Sequence, residues 1–398
     1  MTWPTVKLQE VCQLITDGVH NSPEYCDAGI PMLDSKHIGE NFFIDDTKPE
    51  KFISLATDAI LAARCKPSVN DVLISSRGSI GKIAIVGGSQ NFNIMGNIIL
   101  VRAANNILPR FLAYTLKNKV THLVSIANGV AQKGLYLNQI RSLLIPLPSL
   151  AEQKRIAAIL DKAEEIKRKR EQAIAKLDAL ENSLFSNAFA ATDYEKISIN
   201  EMLNRNILLL HKDGNHGSLY PRSDEFGDEG IPFLTAKCIM DNGQIDNEKI
   251  EKLNEQTANK LKIGWILSGD VLLAHNASVG KVALYRGKFN KALIGTSLTA
   301  FRPNQTIITS QYLYSALRSS QFQSDLMRNM GQTTRNQVPI TAQRELQLCI
   351  PPLQLQIKYA EKVKKIDHQR IKLLTSSKKI SATISSLQQQ AFTTGFNA

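Results

Sequence analysis

The sequence predicts an α+β fold in which a mixed α/β lobe is written twice in tandem. Each copy is followed by a long helix, and the two helices pair as an antiparallel coiled coil. Three observations predict it. Matched phrases recur in the same order about 200 residues apart, the signature of internal duplication. Each half is rich in short β-like runs punctuated by Gly, Asn and Pro. A proline-marked break then leads, twice, into a stretch free of Gly and Pro with apolar residues at three-and-four spacing.

The duplication is read directly from the residues. Asp17-Gly18-Val19-His20 is answered by Asp213-Gly214-Asn215-His216, and Gly29-Ile30-Pro31-Met32-Leu33 by Gly230-Ile231-Pro232-Phe233-Leu234. Lys36 and Lys237 stand three residues beyond the second pair. Asp71-Val72-Leu73-Ile74 matches Asp270-Val271-Leu272-Leu273, and Ser79-Ile80-Gly81-Lys82 matches Ser278-Val279-Gly280-Lys281. Phe111-Leu112 and Tyr312-Leu313 follow, then Pro148-Ser149-Leu150 and Pro351-Pro352-Leu353.

Within residues 1–150, strands are expected at Asp71–Ser75, Ile83–Val86 and Ile98–Val101, with a helix at Pro109–Lys119. Residues 191–350 repeat the plan, with strands at Asp270–Ala274, Val282–Tyr285 and Leu298–Phe301 and one helix over Ser310–Arg328. The first long helix, in residues 151–190, runs from Glu152 to about Asn187 and carries Ile156, Leu160, Ala163, Ile174, Leu177 and Leu184. The second, in residues 351–398, runs from about Gln354 to Phe392. It carries Val363, Ile366, Leu373, Ile380, Ile384, Leu387 and Ala391, interrupted by Arg370 and Ser377. Helices of roughly 50 Å are rarely stable alone, so each seam needs a partner. The economical partner is the other copy.

Composition narrows the function classes. No apolar run reaches the ~18 residues of a membrane span, and the N-terminus lacks the basic-then-apolar order of a signal peptide. Cys12, Cys26, Cys65, Cys238 and Cys349 form neither a C-x-x-C pair nor a zinc spacing. A cytoplasmic, reduced and metal-free protein is expected. The net charge of +12 favours a polyanionic partner. Half of that excess lies in residues 351–398, with eight basic and two acidic side chains, so the lobes themselves are only mildly basic.

Catalytic signatures are missing. Gly81-Lys82 and Gly280-Lys281 sit in no G-x-x-x-x-G-K-[ST] frame, so too few backbone N–H groups could wrap a nucleotide phosphate. A tight turn between two strands is the plain reading; the alternative is a turn that presents Ser79, Lys82, Ser278 and Lys281 to a DNA backbone. The Asp-Gly-x-His segments lack a companion carboxylate, nucleophile or metal spacing, and read as turns followed by a surface histidine or as DNA-facing loops. The Pro-Pro tetrapeptide of amino-methyltransferases, a G-x-G cofactor loop and a nuclease triad are all absent. What remains are polar loop residues at equivalent places: Asn128-Gly129 with Gln132-Lys133, and Gln332-Thr333-Thr334-Arg335-Asn336. Such side chains can make two-point contacts with purine edges. The candidate DNA contacts are therefore His20, Asn21, Ser22, Lys36, Arg77, Ser79, Lys82, Gln132 and Lys133 in the first lobe. In the second they are His216, Lys237, Asn276, Ser278, Lys281, Gln332, Thr333, Arg335 and Asn336.

Two such lobes, each leading into a long helix through a Pro-x-Leu-x-x-Gln-like phrase, resemble the specificity subunit of type I restriction-modification systems. The phrase here is Ile145-Pro146-Leu147-Pro148-Ser149-Leu150-Ala151-Glu152-Gln153-Lys154-Arg155-Ile156. The second copy, Ile350-Pro351-Pro352-Leu353-Gln354-Leu355-Gln356-Ile357, lacks the Glu-Gln pair and keeps only Gln356. The resemblance spans the chain. It implies that each lobe is a target recognition domain reading one half of a bipartite, asymmetric site in double-stranded DNA. The helices would act as spacer and as docking platform for two modification subunits, with Glu152, Gln153, Arg155, Gln356 and Lys358 as candidate partner contacts. Restriction-translocase subunits would join for cleavage. It implies no cofactor on this chain; S-adenosylmethionine is expected in the modification subunit. The alternative is a coiled-coil scaffold whose lobes bind protein rather than DNA.

Overall fold

Short runs of β-branched and aliphatic residues build the central sheet of the first lobe, in the order Cys12–Asp17, Ile98–Ala103, Val72–Ser75, Ile83–Ile85, every neighbour antiparallel. Its middle strands are covered on both faces, so they read as continuous apolar runs. Val72, Ile74, Ile99 and Val101 pack with Phe111, Leu112 and Leu116 of the helix Pro109–Asn118. Leu73, Ile98 and Leu100 pack with Leu33, Ile38 and Ile94 on the other side. A small sheet, Phe52–Ile53, Ile30–Leu33 and Asn93–Ile94, lies beyond, its last pair parallel. Thr5–Lys7 pairs antiparallel with Leu144–Pro146, tying the start of the lobe to its end.

The computed structural model describes residues 3–45, 47, 49–88, 91–127, 134–189, 194–217, 220–287, 291–330 and 336–393. The second lobe repeats the first. Its central sheet is Leu208–Asp213, Leu298–Pro303, Val271–Ala274, Val282–Leu284, and even the register slip between Cys12 and Leu14 recurs between Leu208 and Leu210. The small sheet has grown to five strands: Phe226–Gly227, Glu251–Leu253, Ile231–Leu234, Lys291–Ile294 and Trp265–Leu267. Lys196–Ser198 closes on Gln347–Cys349.

One expected element is corrected. Ser310–Arg328 is two helices, Ser310–Arg318 and Ser320–Arg328, because Ser319 leaves the helical region (φ −60°, ψ 147°). Its hydroxyl accepts from Phe322 N as the N-cap of the second piece.

The two long helices span Leu150–Phe189 and Leu353–Thr393, 40 and 41 residues. Each is about 60 Å at about 1.5 Å per residue, longer than the sequence suggests by about one turn in the first and about half a turn in the second. The chain divides into two compact units, and the division falls inside both helices. One unit is Met1–Glu171 with Thr375–Ala398; the other is Gln172–Leu374. In the first, Ile156 and Leu160 share the lobe's core with Leu387, Ala391 and Phe392, and Trp3 Nε1 donates to Ala391 O at 2.9 Å. In the second, Phe185 and Phe189 stack against Tyr312 and Tyr359. Deeper along the same seam, Arg370 reaches Asp178 (3.0 Å) and Glu181 (2.5 Å). Moving forward along one helix moves backward along the other, so the pairing is antiparallel. Among the described residues no helix is long and apolar enough to cross a membrane.

Candidate nucleic-acid interface

In each lobe a hairpin turn, a short 3-10 turn and the segment after the Asp-Gly pair are gathered by one connecting turn. In the first lobe that connector is Met95-Gly96-Asn97. Ser76 N donates to Asn97 O (2.9 Å), Asn97 Nδ2 donates to Ser35 Oγ (3.1 Å), and Gly96 N donates to Val19 O (2.7 Å). In the second lobe it is Gly295-Thr296-Ser297. His275 N donates to Ser297 O (3.1 Å), Ala236 N to Ser297 Oγ (2.9 Å), and Asn215 bridges Gly295. The Asp-Gly glycines serve this close approach: a Cβ on Gly18 or Gly214 would stand 2.1 Å from a backbone oxygen. A further stretch of chain adds to each hairpin, Gly134 bridging Arg77 and Gln337 bridging Asn276.

The hairpin turns are tight turns between strands, as the Gly-Lys spacing implies. Gly81 (φ +85°) and Gly280 (φ +95°) take left-handed conformations that only glycine adopts freely. Gly78 does so too (φ +72°), but its counterpart is Ala277 (φ +62°), so the second hairpin carries backbone strain at its tip. Arg77 and Ser79 are exposed, Lys82, Asn276 and Ser278 half-buried, and Asn336 exposed with its carbonyl accepting from Ala277 N. His20, Asn21, Ser22, Lys36, His216 and Lys237 are also exposed. These residues fall on three linked loops per lobe, and that is the arrangement brought together. Gln132, Lys133, Gln332, Thr333 and Arg335, with Asn128 and Gly129, lie outside the described residues.

Several of these groups are already engaged. His20 Nε2 sits 2.7 Å from Asp17 Oδ2, whose other oxygen meets Arg64 Nη2 at 2.5 Å. Lys36 bonds Glu50, which holds that carboxyl below its usual range. Lys281 donates to Asp241 (2.7 Å) and reaches Ile239 O (3.3 Å), so its ammonium braces its own lobe and must exchange partners to meet a phosphate. His216 Nδ1 faces Gly214 O at 3.1 Å.

The candidate partner contacts need one correction. Gln153 and Gln356 are fully buried and reach no surface. Gln153 Nε2 donates to Asn106 O (3.0 Å) and Pro148 O (2.9 Å), while its Oε1 accepts from Leu108 N (2.8 Å). Gln356 repeats this with Ile307 O, Pro351 O and Thr309 N. Each amide satisfies three backbone groups where a lobe meets the first turn of its helix. Glu152 and Arg155 pair on the surface at 3.0 Å, and Lys358 is exposed.

Sequence reasoning missed an ion pair on a buried carboxylate, present in both lobes. Arg102 grips Asp71 through Nε (2.9 Å) and Nη2 (2.7 Å), and Arg302 grips Asp270 in the same way (2.8 and 2.7 Å). Each carboxylate also accepts a backbone N–H, from Ser68 or Leu267. The signal lay in the repeat, since Arg102 and Arg302 keep its spacing. Among the described residues no group of three or more His, Cys, Asp or Glu side chains is placed to hold a metal ion.

Comparison with known proteins bears on this geometry. The family model described as the type I restriction modification DNA specificity domain matches residues 1–176 and again 193–382. The type I restriction enzyme MjaVIII specificity subunit of Methanocaldococcus jannaschii is 24% identical over 343 residues, 82% of this chain and 78% of that one. The crystal structure of a type I restriction-modification system S subunit from M. genitalium superposes with a TM-score of 0.57 at 17% identity, covering 98% of this chain and 96% of that one. A structure from work on complex assembly and conformational transition of the type I R-M system gives 0.55 at 18% identity, covering 98% and 97%.

Proposed function

The chain belongs to the type I restriction-modification DNA specificity family, and from that premise we propose that it is a two-headed reader of duplex DNA that does no chemistry itself. Residues 1–150 and 191–350 are target recognition domains, each reading one half of a split, asymmetric site. Residues 151–190 and 351–398 form the helical spacer and the platform for two modification subunits, with exposed Arg155 and Lys358 and half-buried Glu152 as contacts. Those subunits supply S-adenosylmethionine and transfer the methyl group; restriction-translocase subunits join for cleavage. No cofactor is held by this chain.

The observation that carries the reading is one scaffold with two faces. Both lobes gather the same three loops around the same connecting turn, yet Arg77-Gly78-Ser79 stands where the other lobe has Asn276-Ala277-Ser278. A shared frame with different polar tips suits two readers of different half-sites. Basic and hydroxyl groups set register on phosphates, and amides and guanidinium groups read base edges.

The test is selection from random duplex libraries by the chain with its modification subunit, at two salt concentrations. Enrichment of a split site with a fixed gap, weakened as salt rises, is expected. Salt-sensitive binding without enrichment would reduce the chain to a general DNA clamp. Absence of DNA binding in the assembled complex would favour the protein-binding scaffold.

A further inference from the structure

Beneath the reading loops the two lobes part company. The first lobe places Ile15, Ile99 and Ile140 there, all buried in its core. Strand pairing and the closing strands set their counterparts: Ile15 pairs with Val101 as His211 pairs with Phe301, and Asp17 pairs with Ile99 as Asp213 pairs with Thr299. Ile140 precedes Leu144–Pro146 by the interval at which Gln343 precedes Gln347–Cys349. Three buried isoleucines in one lobe are thus His211, Thr299 and Gln343 in the other, exposed by only 2%, 0% and 0%.

The three polar side chains form a connected relay. Gln343 Oε1 faces His211 Nε2 at 3.2 Å, and Gln343 Nε2 donates to Thr299 Oγ1 (3.1 Å) and to Val338 O (3.0 Å). Thr299 Oγ1 donates to Asp213 Oδ1 at 2.8 Å, and His275 Nε2 lies 3.7 Å from the same carboxylate. Val338 follows the strand segment that bridges the Asn276 hairpin, and its N–H donates to His275 O at 2.9 Å. Asp213 opens the Asp-Gly segment that ends at His216. Side-chain bonds therefore tie the start of the 213–216 segment to the added stretch at 336–338, and the backbone bond from Val338 to His275, which Leu135 N to Ser76 O repeats in the first lobe, joins that stretch to the hairpin. In the first lobe the corresponding Asp17 turns outward to His20 and Arg64 instead.

Burying polar groups costs stability unless each finds its partner, and an apolar trio demonstrably fills this place in the sister lobe. What directional bonds provide and aliphatic packing does not is a defined angle between the loops they join. We propose that His211, Thr299 and Gln343 are positioning residues for base reading by the second lobe, fixing the 213–216 segment relative to the 336–338 stretch that carries the hairpin. The inference rests on the reading of the lobes as DNA readers.

The test gives the second lobe the first lobe's apolar trio, His211→Ile with Thr299→Ile and Gln343→Ile, in the full chain assembled with its modification subunits. Library selection should show a loss of about tenfold in base discrimination at one half-site only, with the other half-site and the gap unchanged. Hydrogen exchange should quicken at 213–216 and 336–338, while the melting temperature holds or rises, which a merely structural role would not produce. Should the triple variant aggregate, Gln343→Met, close in volume, removes the relay's central amide and carries the same expectation for selection and exchange, with a lowered melting temperature because His211 and Val338 O lose a buried partner. An unchanged selection profile, or equal loss at both half-sites, would overturn the proposal and leave the two-headed reader standing. A native chain that selects no split site would overturn both.

Discussion

His211 shows how much a single buried side chain reports. Burial pushes its pKa from 6.5 down to about 4, only partly opposed by the hydrogen bond to Gln343. The folded protein thus holds the ring neutral where the unfolded chain protonates it. Stability is complete above pH 6.5 and falls as pH drops from 6.5 towards 4, by up to about 3 kcal/mol at about 1.4 kcal/mol per pKa unit. Thermal melts between pH 7 and pH 4 should show the unit Gln172–Leu374 losing stability across that window. His211→Ile should flatten the loss; a profile indifferent to that substitution would remove His211 as its source. The residue scale is also where the sequence was least legible. Gln153 and Gln356 are polar, near a helix start and matched in the repeat, which fits a surface contact as well as a buried lock. Only their backbone partners decide. Asp71 and Asp270 head recognisable phrases, but a strand-borne arginine some 30 residues later carries no local mark as the partner.

At the scale of elements, the long helices were legible because Gly and Pro are absent over long stretches and the apolar spacing keeps a helical period. Their ends came out slightly long, since Leu150 and Leu353 sit on the turns that the two buried glutamines secure. The Ser319 break was not legible: serine is tolerated inside helices, and only its cap geometry marks the boundary. The polar interruption at Arg370 was visible as an irregularity. Its meaning is the cluster with Asp178, Glu181 and Asp367, in which Arg370 and Glu181 are buried in the seam. Such a group specifies which turn meets which, where apolar packing alone tolerates slippage. The glutamine locks give a direct prediction. Gln356→Leu leaves Thr309 N, Ile307 O and Pro351 O without their buried partner, at about 1–3 kcal/mol for each group that water cannot reach. Denaturant melts should register this loss, whereas Lys358→Ala, on an exposed position two residues along the same helix, should change little. Equal effects would contradict the lock.

For the molecule as a whole, the duplication was the most legible feature, because repeated phrases at constant offset need no structure to be seen. The interleaving was not. A lobe followed by its own helix looks like a self-contained module, whereas each compact unit takes the first half of its own helix and the last half of the other. A chain ending at Leu374 should therefore keep Gln172–Leu374 protected from exchange and expose the seam of Ile156 and Leu160. Increased dye binding with the second unit intact is the expected result; an undisturbed first unit would contradict it. The same interleaving inverts the usual order of events on the ribosome. The unit that begins the chain waits for its last helical turns until residues 375–393 emerge, while the unit encoded in its middle is contiguous and finishes first. At roughly 5–20 residues per second, the nascent first lobe carries an uncovered apolar stripe for about 10–40 s. That interval makes the emerging chain a client for chaperones, and makes the codons for residues 375–393 decisive for whether the first unit survives.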